Sequence, residues 1–242
     1  MRENRDRVAV LRGRGALVLA ATVSTVLALV LALVVAPPDA VQGEAQRWMY
    51  LHVPAAWSAY LCFAVVLLAC LPVALRGAVR PLALARAAAE AGVALTAVTL
   101  ATGSVWGAQT WGTWWVWDAR VTTTVAMGLV YVALLAALVL ATGHRGRRAA
   151  GTVGVLGFVM VPVVHLSVVW WRTLHQPPTV LAPGTGAPIA PVMAWTLGVS
   201  VLACTLLTAV VVLARARRVS AQVARRSGAV PDAAAPRLPV AP

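Results

Sequence analysis

The chain has 242 residues, of which 61% are hydrophobic and 11% are charged. This composition excludes an ordinary soluble globular domain and is typical of a protein embedded in a bilayer. The formal net charge of +13 comes from arginine alone, since the chain contains no lysine. In a soluble protein that charge would indicate nucleic-acid binding. Here we interpret it as a signal for membrane orientation and lipid contact, with no nucleic-acid partner.

Six apolar runs follow one another along the chain, each long enough to cross a hydrocarbon core of about 30 Å as a helix. They do not alternate in polarity with a period of two, which excludes a β-barrel. The first run is longer than the apolar part of a signal peptide, so we interpret it as a retained span. The sequence predicts an all-α integral membrane protein with six transmembrane helices, at about 16–36, 55–75, 87–106, 121–142, 151–170 and 190–213.

The arginines predict how the six helices are oriented. All but Arg47, Arg120 and Arg172 lie in segment 1–15, in the loops after the second and fourth runs, or beyond residue 213. Because basic residues favour the cytoplasmic side, we predict a multi-pass protein of the cytoplasmic (inner) membrane with both termini in the cytoplasm. The Ala/Pro/Arg-rich tail 214–242 is predicted to be disordered. The chain has no phosphate-binding loop for ATP, so an ATP-driven step requires another subunit.

The cysteines and Glu90 lie inside the predicted spans. The three cysteines all lie there and form no CxxC pair, which favours small core residues over a thiol or metal site. Glu90 lies near the inner end of the third run beside Arg86, and we interpret the two as an ion pair. A proton or substrate role for Glu90 is the alternative.

Tryptophan is confined to one side of the predicted membrane domain. An ordinary aromatic belt decorates both interfaces, but here all ten tryptophans lie in or near the outer segments 37–54, 107–120 and 171–189. This asymmetry predicts a large aromatic surface at the outer boundary of the bilayer. The tryptophans are Trp48, Trp57, Trp106, Trp111, Trp114, Trp115, Trp117, Trp170, Trp171 and Trp195.

Half of these tryptophans lie in the stretch WGAQTWGTWWVWD, residues 106–118. At helical spacing Trp111, Trp114 and Trp115 would share one face, while the glycines at 107 and 112 argue against one long helix. We expect a short amphipathic segment, 106–120, lying along the outer membrane surface between helices 3 and 4. Asp118 and Arg120 at its end are either parts of a site or an internal pair that fixes the loop.

Two histidines flank this segment on the same predicted side, namely His52 before the second span and His175 after the fifth. A histidine of this type is commonly a structural hydrogen-bonder. Imidazole is also a good axial ligand for heme iron, and tryptophan can cover a porphyrin face. The outer arginines Arg47, Arg120 and Arg172 would meet the propionates. His165, inside the fifth span, is an alternative iron ligand, and His144 is interpreted as solvated.

Three motifs carry a resemblance to a known family. "WGTWWVWDAR" at 111–120 is similar to the WWD signature of the heme-handling proteins of cytochrome c maturation. "MYLHVPAAW" at 49–57 and "WWRTLHQP" at 170–177, with six spans, resemble the heme exporter protein C (CcmC) family over roughly 45–213.

This resemblance implies a heme-binding transfer or transport subunit with no catalytic residue of its own. Heme b would be held transiently as cargo at the outer face and transferred to a periplasmic heme chaperone (CcmE-like). ABC transporter subunits (CcmA/CcmB-like), a small membrane subunit (CcmD-like) and membrane lipid would be its partners. The iron ligands would be His52 and His175, and the predicted binding set is His52, His175, Trp106, Trp111, Trp114, Trp115, Trp117, Asp118, Arg120 and Arg172.

Three alternatives remain open on the sequence. A larger-type cytochrome c heme lyase component shares the WWD signature but has more spans. A redox-active b-type membrane cytochrome would bury its heme ligands within spanning helices. A purely structural subunit would use the tryptophans only as interfacial anchors.

Overall fold

The structure is a computed structural model that describes residues 2–175, 189–226 and 228. Within these ranges the chain is helical, with no β-strand. Six helical segments are long and apolar enough to cross a membrane, which confirms the predicted fold class. They are Leu11–Val35, Glu44–Arg76, Leu82–Trp111, Ala119–Leu140, Gly143–Trp170 and Pro191–Arg225.

Three of these spans are single α-helices, and the other three combine two helical elements. α1 (Arg2–Val30) continues into a π-helical stretch, Leu31–Val35, and a 3-10 turn, Glu44–Trp48, leads into α2 (Met49–Arg76). α3 (Leu82–Trp111) and α4 (Ala119–Leu140) follow. The fifth span is divided into α5 (Gly143–Gly157) and α6 (Met160–Trp170), and the sixth is α7 (Pro191–Arg226).

The helices extend beyond the apolar runs that predicted them. α2 begins at Met49 instead of about 55, so His52 is helical, and α3 continues through the predicted end at 106 to Trp111. The predicted disordered tail does not begin at 214, because residues 214–226 belong to α7. Hydropathy marks where a helix leaves the hydrocarbon, and the hydrogen-bonded helix need not end there. Apart from Gly228, the rest of the tail lies outside the described residues.

The core forms around α2, which packs against α3, α5 and α7. Phe63 on α2 stacks on Tyr131 of α4, with ring centroids 3.8 Å apart. The Tyr131 hydroxyl donates to the carbonyl of Ala59 (2.6 Å), so this buried polar group is satisfied. Small residues on α3 allow the close helix approach on which membrane bundles depend. They include the fully buried Ala85, Ala87, Ala88 and Ala89.

Gly92 on α3 is where this packing leaves no spare room, since an added Cβ would overlap the Tyr131 ring. We expect Gly92→Ala to destabilise the protein by about 1–3 kcal/mol, the usual range for overpacking. Thermal unfolding in detergent measures the effect. Gly198→Ala on α7 is the matched control, because no atom of the described residues lies within 4 Å of a Cβ added there. Equal melting temperatures for the two variants would contradict the packing described here.

Other predicted features of the spans are also visible. Cys62, Cys70 and Cys204 are free thiols within helices, and Ser58 Oγ donates to the Cys204 sulfur (3.3 Å). The predicted Arg86–Glu90 pair is confirmed at 3.0 Å. Glu90 also accepts from Nη2 of Arg215 at 3.0 Å, a partner that the sequence analysis had assigned to the tail. This carboxylate therefore joins α3 to α7.

Candidate functional site

An open cleft lies at the end of the bundle that carries the tryptophans. Its space measures about 750 Å³ when the part that is open to solvent is included. α2, α3, α4 and α6 contribute to its walls, together with the segment before α4 and the segment after α6. Seven residues of the predicted set line the cleft: His52, His175, Trp111, Trp114, Trp115, Asp118 and Arg120.

His52 is half-buried in the first turn of α2. Its Nδ1 lies 3.2 Å from Oγ1 of Thr102 on α3. The indole of Trp106 meets the imidazole edge-to-face, with centroids 5.8 Å apart and planes at 70°. Two contacts from α3 therefore fix this ring, and its Nδ1 is occupied.

His175 reaches the cleft from the segment after α6. Its Nδ1 lies 3.0 Å from Oδ2 of Asp118, and Trp111 packs edge-to-face against it at 5.0 Å. Burial lowers the pKa of His175 below its ordinary value of 6.5, while the hydrogen bond with Asp118 opposes that shift. The imidazole is therefore neutral at neutral pH, which is the form that coordinates a metal.

Asp118 holds three parts of the site together. Its Oδ1 accepts from the backbone N–H of Val121 (2.8 Å), which caps the N-terminus of α4. Its Oδ2 accepts from the backbone N–H of Leu174 (3.2 Å) and contacts His175. Within the described residues no ion pair joins Asp118 to Arg120, so the predicted alternative of an internal pair is wrong. Asp118 fixes the loop through backbone and imidazole contacts instead.

The tryptophan segment is not the predicted helical face. Gly112, with φ of +73°, ends α3, and residues 112–118 are not helical until Asp118 caps α4. Trp111 therefore lies on a helix, while Trp114 and Trp115 lie on an irregular segment. Gly107 was predicted to interrupt the helix, but α3 continues through it to Trp111. An added Cβ there would come within 3.3 Å of the Thr113 carbonyl oxygen, so this glycine lets the segment fold back on the helix.

Arg120 provides positive charge inside the cleft. Its Nη2 donates to the backbone carbonyl of His165 (3.2 Å), and its guanidinium also meets the hydroxyl of Tyr60. Its Nε is buried and has no hydrogen-bond partner among the described residues. A buried donor without a partner is costly, so this group is suited to an acidic ligand.

The remaining predicted residues lie outside the cleft lining. Trp106 touches His52 from behind, and its Nε1 donates to Gln42 (2.8 Å). Trp117 packs on Trp115 at 5.2 Å and is exposed. Arg172 is exposed, Arg47 is engaged by Glu44 and the carbonyl of Ala32, and His144 is exposed. His165 faces Tyr60 at 6.3 Å and does not line the cleft, unlike His52 and His175.

Sequence reasoning missed Tyr60 and the hydroxyl-bearing face of α3. Tyr60 lines the cleft two turns after His52. Thr96, Thr99 and Thr102 recur every three residues within an apolar run. That spacing places hydroxyls on one side of a helix, where Thr99 lines the cleft and Thr102 contacts His52.

The donor set fits a flat metal porphyrin with acidic side groups. Nδ1 of both His52 and His175 is hydrogen-bonded, and in the part of the chain that the structure describes neither Nε2 has a hydrogen-bond partner. An imidazole whose Nδ1 is fixed in this way presents Nε2 to a metal. Indole surfaces suit the ring system, and Arg120 suits a carboxylate.

Comparison with known proteins identifies the family of the chain. The family described as Heme exporter protein C matches residues 7–230. The chain belongs to the heme exporter protein C family. It is similar to Heme exporter protein C of Escherichia coli strain K12, with 38% identity over 184 residues, covering 75% of this chain and 73% of that protein. It is also similar to Heme exporter protein C of Bradyrhizobium diazoefficiens, with 40% identity over 152 residues, covering 62% and 57% of the two chains.

A mitochondrial relative extends this similarity. A "cytochrome c biosynthesis ccmC-like mitochondrial protein" of Marchantia polymorpha is 34% identical over 166 residues, covering 69% of this chain and 71% of that protein. Membership of the heme exporter protein C family assigns the chain to heme export in cytochrome c biogenesis. With six helices able to cross a bilayer, it is a multi-pass membrane protein.

Proposed function

We propose that this protein binds heme b as cargo through axial ligation by His52 and His175, and transfers it to a periplasmic heme chaperone of the CcmE type. The observation that carries the proposal is the meeting of the two histidines. They are 123 positions apart in sequence, yet both line one cleft, and both have Nδ1 engaged by another residue. That arrangement prepares two Nε2 atoms for one iron.

The surrounding residues supply the rest of the binding. The indoles of Trp111, Trp114 and Trp115 offer apolar area to the porphyrin. Arg120, with a buried unpartnered Nε, is suited to one propionate. The iron of the bound heme supplies the Lewis-acid centre for the two imidazoles. Trp106 packs against His52, and Trp117 packs against Trp115, so each supports a residue that contacts the heme. The exposed Arg172 is available to the heme periphery.

The tryptophan end of the bundle is assigned to the periplasmic side of the inner membrane. The exposed Arg217 and Arg218 lie near the opposite end of α7, and Arg145 lies near the start of α5. Basic residues favour the cytoplasmic side. The cleft then opens where a soluble chaperone can reach it.

Transfer explains this geometry better than electron transfer through the bilayer. His175 lies on the segment after α6, outside the spanning helices, and the cleft is open. A b-type cytochrome that conducts across a membrane holds its heme between buried spanning helices. Six spans also favour this family's function over a larger heme lyase component. Partly buried hydrogen bonds at Nδ1 of both histidines favour a ligand site over mere interfacial anchoring.

We assign partners from the family and from what the chain lacks. Its sequence contains no phosphate-binding loop, so nucleotide hydrolysis belongs to ABC transporter subunits of the CcmA and CcmB type. A small CcmD-like membrane subunit completes the proposed complex, and membrane lipid surrounds the six spans.

The test is to co-express the protein with the chaperone, then record its heme spectrum and the covalent heme on the chaperone. We expect a six-coordinate low-spin spectrum and a heme-labelled chaperone. Trp115→Leu should weaken heme retention roughly fivefold, because an aromatic contact contributes about 0.5–1.5 kcal/mol beyond its buried area. Trp195→Leu is the control, since Trp195 is 76% exposed and does not line the cleft. Purification without heme, alongside a normally labelled chaperone, would contradict the proposal.

A further inference from the structure

One turn of α3 forms a socket for the His52 ring. Thr102 contacts Nδ1 at 3.2 Å. An added Cβ on Gly103 would lie 2.9 Å from Cε1, so only glycine admits the ring at this distance. Trp106 covers another side, edge-to-face at 5.8 Å. The imidazole is therefore held by a helix as well as by its own backbone.

The hydrogen bonds of Thr102 determine which nitrogen of His52 carries the proton. Oγ1 of Thr102 donates to the carbonyl of Val98 (2.7 Å) and lies 3.2 Å from the carbonyl of Thr99. Its own proton is thus committed, and its oxygen is left as an acceptor for the imidazole. An acceptor at this position requires a proton on Nδ1 of His52, which leaves the lone pair on Nε2.

The corresponding partner of His175 is chemically different. Its Nδ1 meets the carboxylate of Asp118 at 3.0 Å. A charged acceptor makes a stronger hydrogen bond than a hydroxyl or an amide carbonyl, and it raises the basicity of the metal-bound imidazole. His52 has only neutral acceptors at Nδ1. The two Nε2 atoms are therefore unequal donors.

We propose that Thr102 is the positioning residue of His52 and that, by offering a neutral acceptor where His175 has a carboxylate, it makes His52 the weaker axial donor. The inference rests on the proposed function, since it concerns how the two ligands share one iron. Its consequence for transfer is an order of events. The bond from His52 to iron breaks first, while His175 still holds the heme.

The first experiment substitutes Thr102 and compares heme coordination. Thr102→Val removes the acceptor and keeps the branched shape, and Thr102→Ser restores the hydroxyl. Thr96→Val is the matched control, because Thr96 makes the same bond to the carbonyl four residues back, at 2.7 Å, whereas the contact with Nδ1 of His52 comes from Thr102. We expect Thr102→Val to weaken heme retention about tenfold, as loss of an outer partner does, and to convert part of the low-spin signal to high-spin. Thr102→Ser should restore both.

The second experiment identifies the weaker ligand with carbon monoxide, which replaces one axial imidazole of ferrous heme. The Fe–CO stretching frequency then reports the donor strength of the imidazole that remains opposite. We expect Asp118→Asn, loaded with excess heme, to shift this frequency, because iron binding through Nε2 of His175 then leaves its Nδ1–H facing a neutral amide instead of a carboxylate. Thr102→Val should leave it at the wild-type value. A shift with Thr102→Val, or no shift with Asp118→Asn, would overturn the inequality.

The outcomes separate this inference from the function on which it rests. A wild-type protein without a six-coordinate low-spin spectrum contradicts the proposed ligands, and with them the role of Thr102. A normal wild-type spectrum, with heme retention by Thr102→Val equal to that of Thr96→Val, overturns the role of Thr102 alone. The heme-free Thr102→Val and Thr102→Ser variants are expected to have the same melting temperature. Equal values show that a folding defect is not the cause of the weaker heme retention in Thr102→Val.

Discussion

Replacement of either axial histidine is expected to remove stable heme from the protein. His52→Ala and His175→Ala should each abolish the six-coordinate low-spin spectrum. The loss of heme affinity should exceed the roughly 100-fold upper range seen when only an outer partner of a metal ligand is removed. Each variant still inserts, because neither substitution shortens an apolar run. The absorption spectrum of the purified protein, with its heme content per polypeptide, measures the effect.

Two controls sharpen this result. His165→Ala removes a histidine from α6 that faces Tyr60 and does not line the cleft, so its spectrum should match the wild type. Free imidazole should partly restore low-spin heme in the alanine variants by occupying the vacant iron position. If both alanine variants carried heme normally and supported cytochrome c formation, the ligand assignment would be wrong.

The second large effect concerns the carboxylate beside His175. Asp118→Asn should reduce heme affinity about 10- to 100-fold, the range for outer partners of metal ligands. Asparagine retains an oxygen that can accept from Val121 N–H, so the helix cap survives. Its amide N–H can instead donate to Nδ1 of His175, which favours the tautomer with the proton on Nε2. Heme titration of the purified protein gives the affinity.

Asp118→Ala separates orientation from folding. It removes the cap of α4 as well as the contacts to Leu174 and His175, and cap loss alone costs about 0.5–2 kcal/mol. We therefore expect a lower melting temperature for Asp118→Ala than for Asp118→Asn, with heme affinity reduced in both. Wild-type heme affinity in Asp118→Asn would show that the carboxylate does not orient His175.

Much of the fold could be predicted from the sequence, because a long apolar run has one dominant structural outcome. An apolar run of about 20 residues has few alternatives to a spanning helix, so six runs predicted six spans. The ends were less predictable. α2 starts at Met49, and α7 reaches Arg226, since hydrogen bonding continues after the apolar run stops.

The candidate site divides along similar lines. Unusual residue types identified His52, His175 and the tryptophans, and the structure brings the two histidines to one cleft with three of the indoles. The partners were not predictable, because Thr102 resembles any threonine in a membrane helix until its distance to His52 is known. The different roles of the two glycines were not predictable for the same reason. Gly112 ends α3 through a positive φ, and Gly107 admits the neighbouring backbone of Thr113.

α7 is longer than a bilayer is thick. Its 36 residues extend about 54 Å at 1.5 Å per residue, against a hydrocarbon core of about 30 Å. It is therefore about 24 Å longer than the core is thick, and Val219 near its C-terminal end is still buried, with 4% of its surface exposed. A single stiff rod thus runs from the residues that follow the His175 segment to the arginine-rich end. A tilt of this helix at one membrane surface would therefore also move its other end, at the opposite surface.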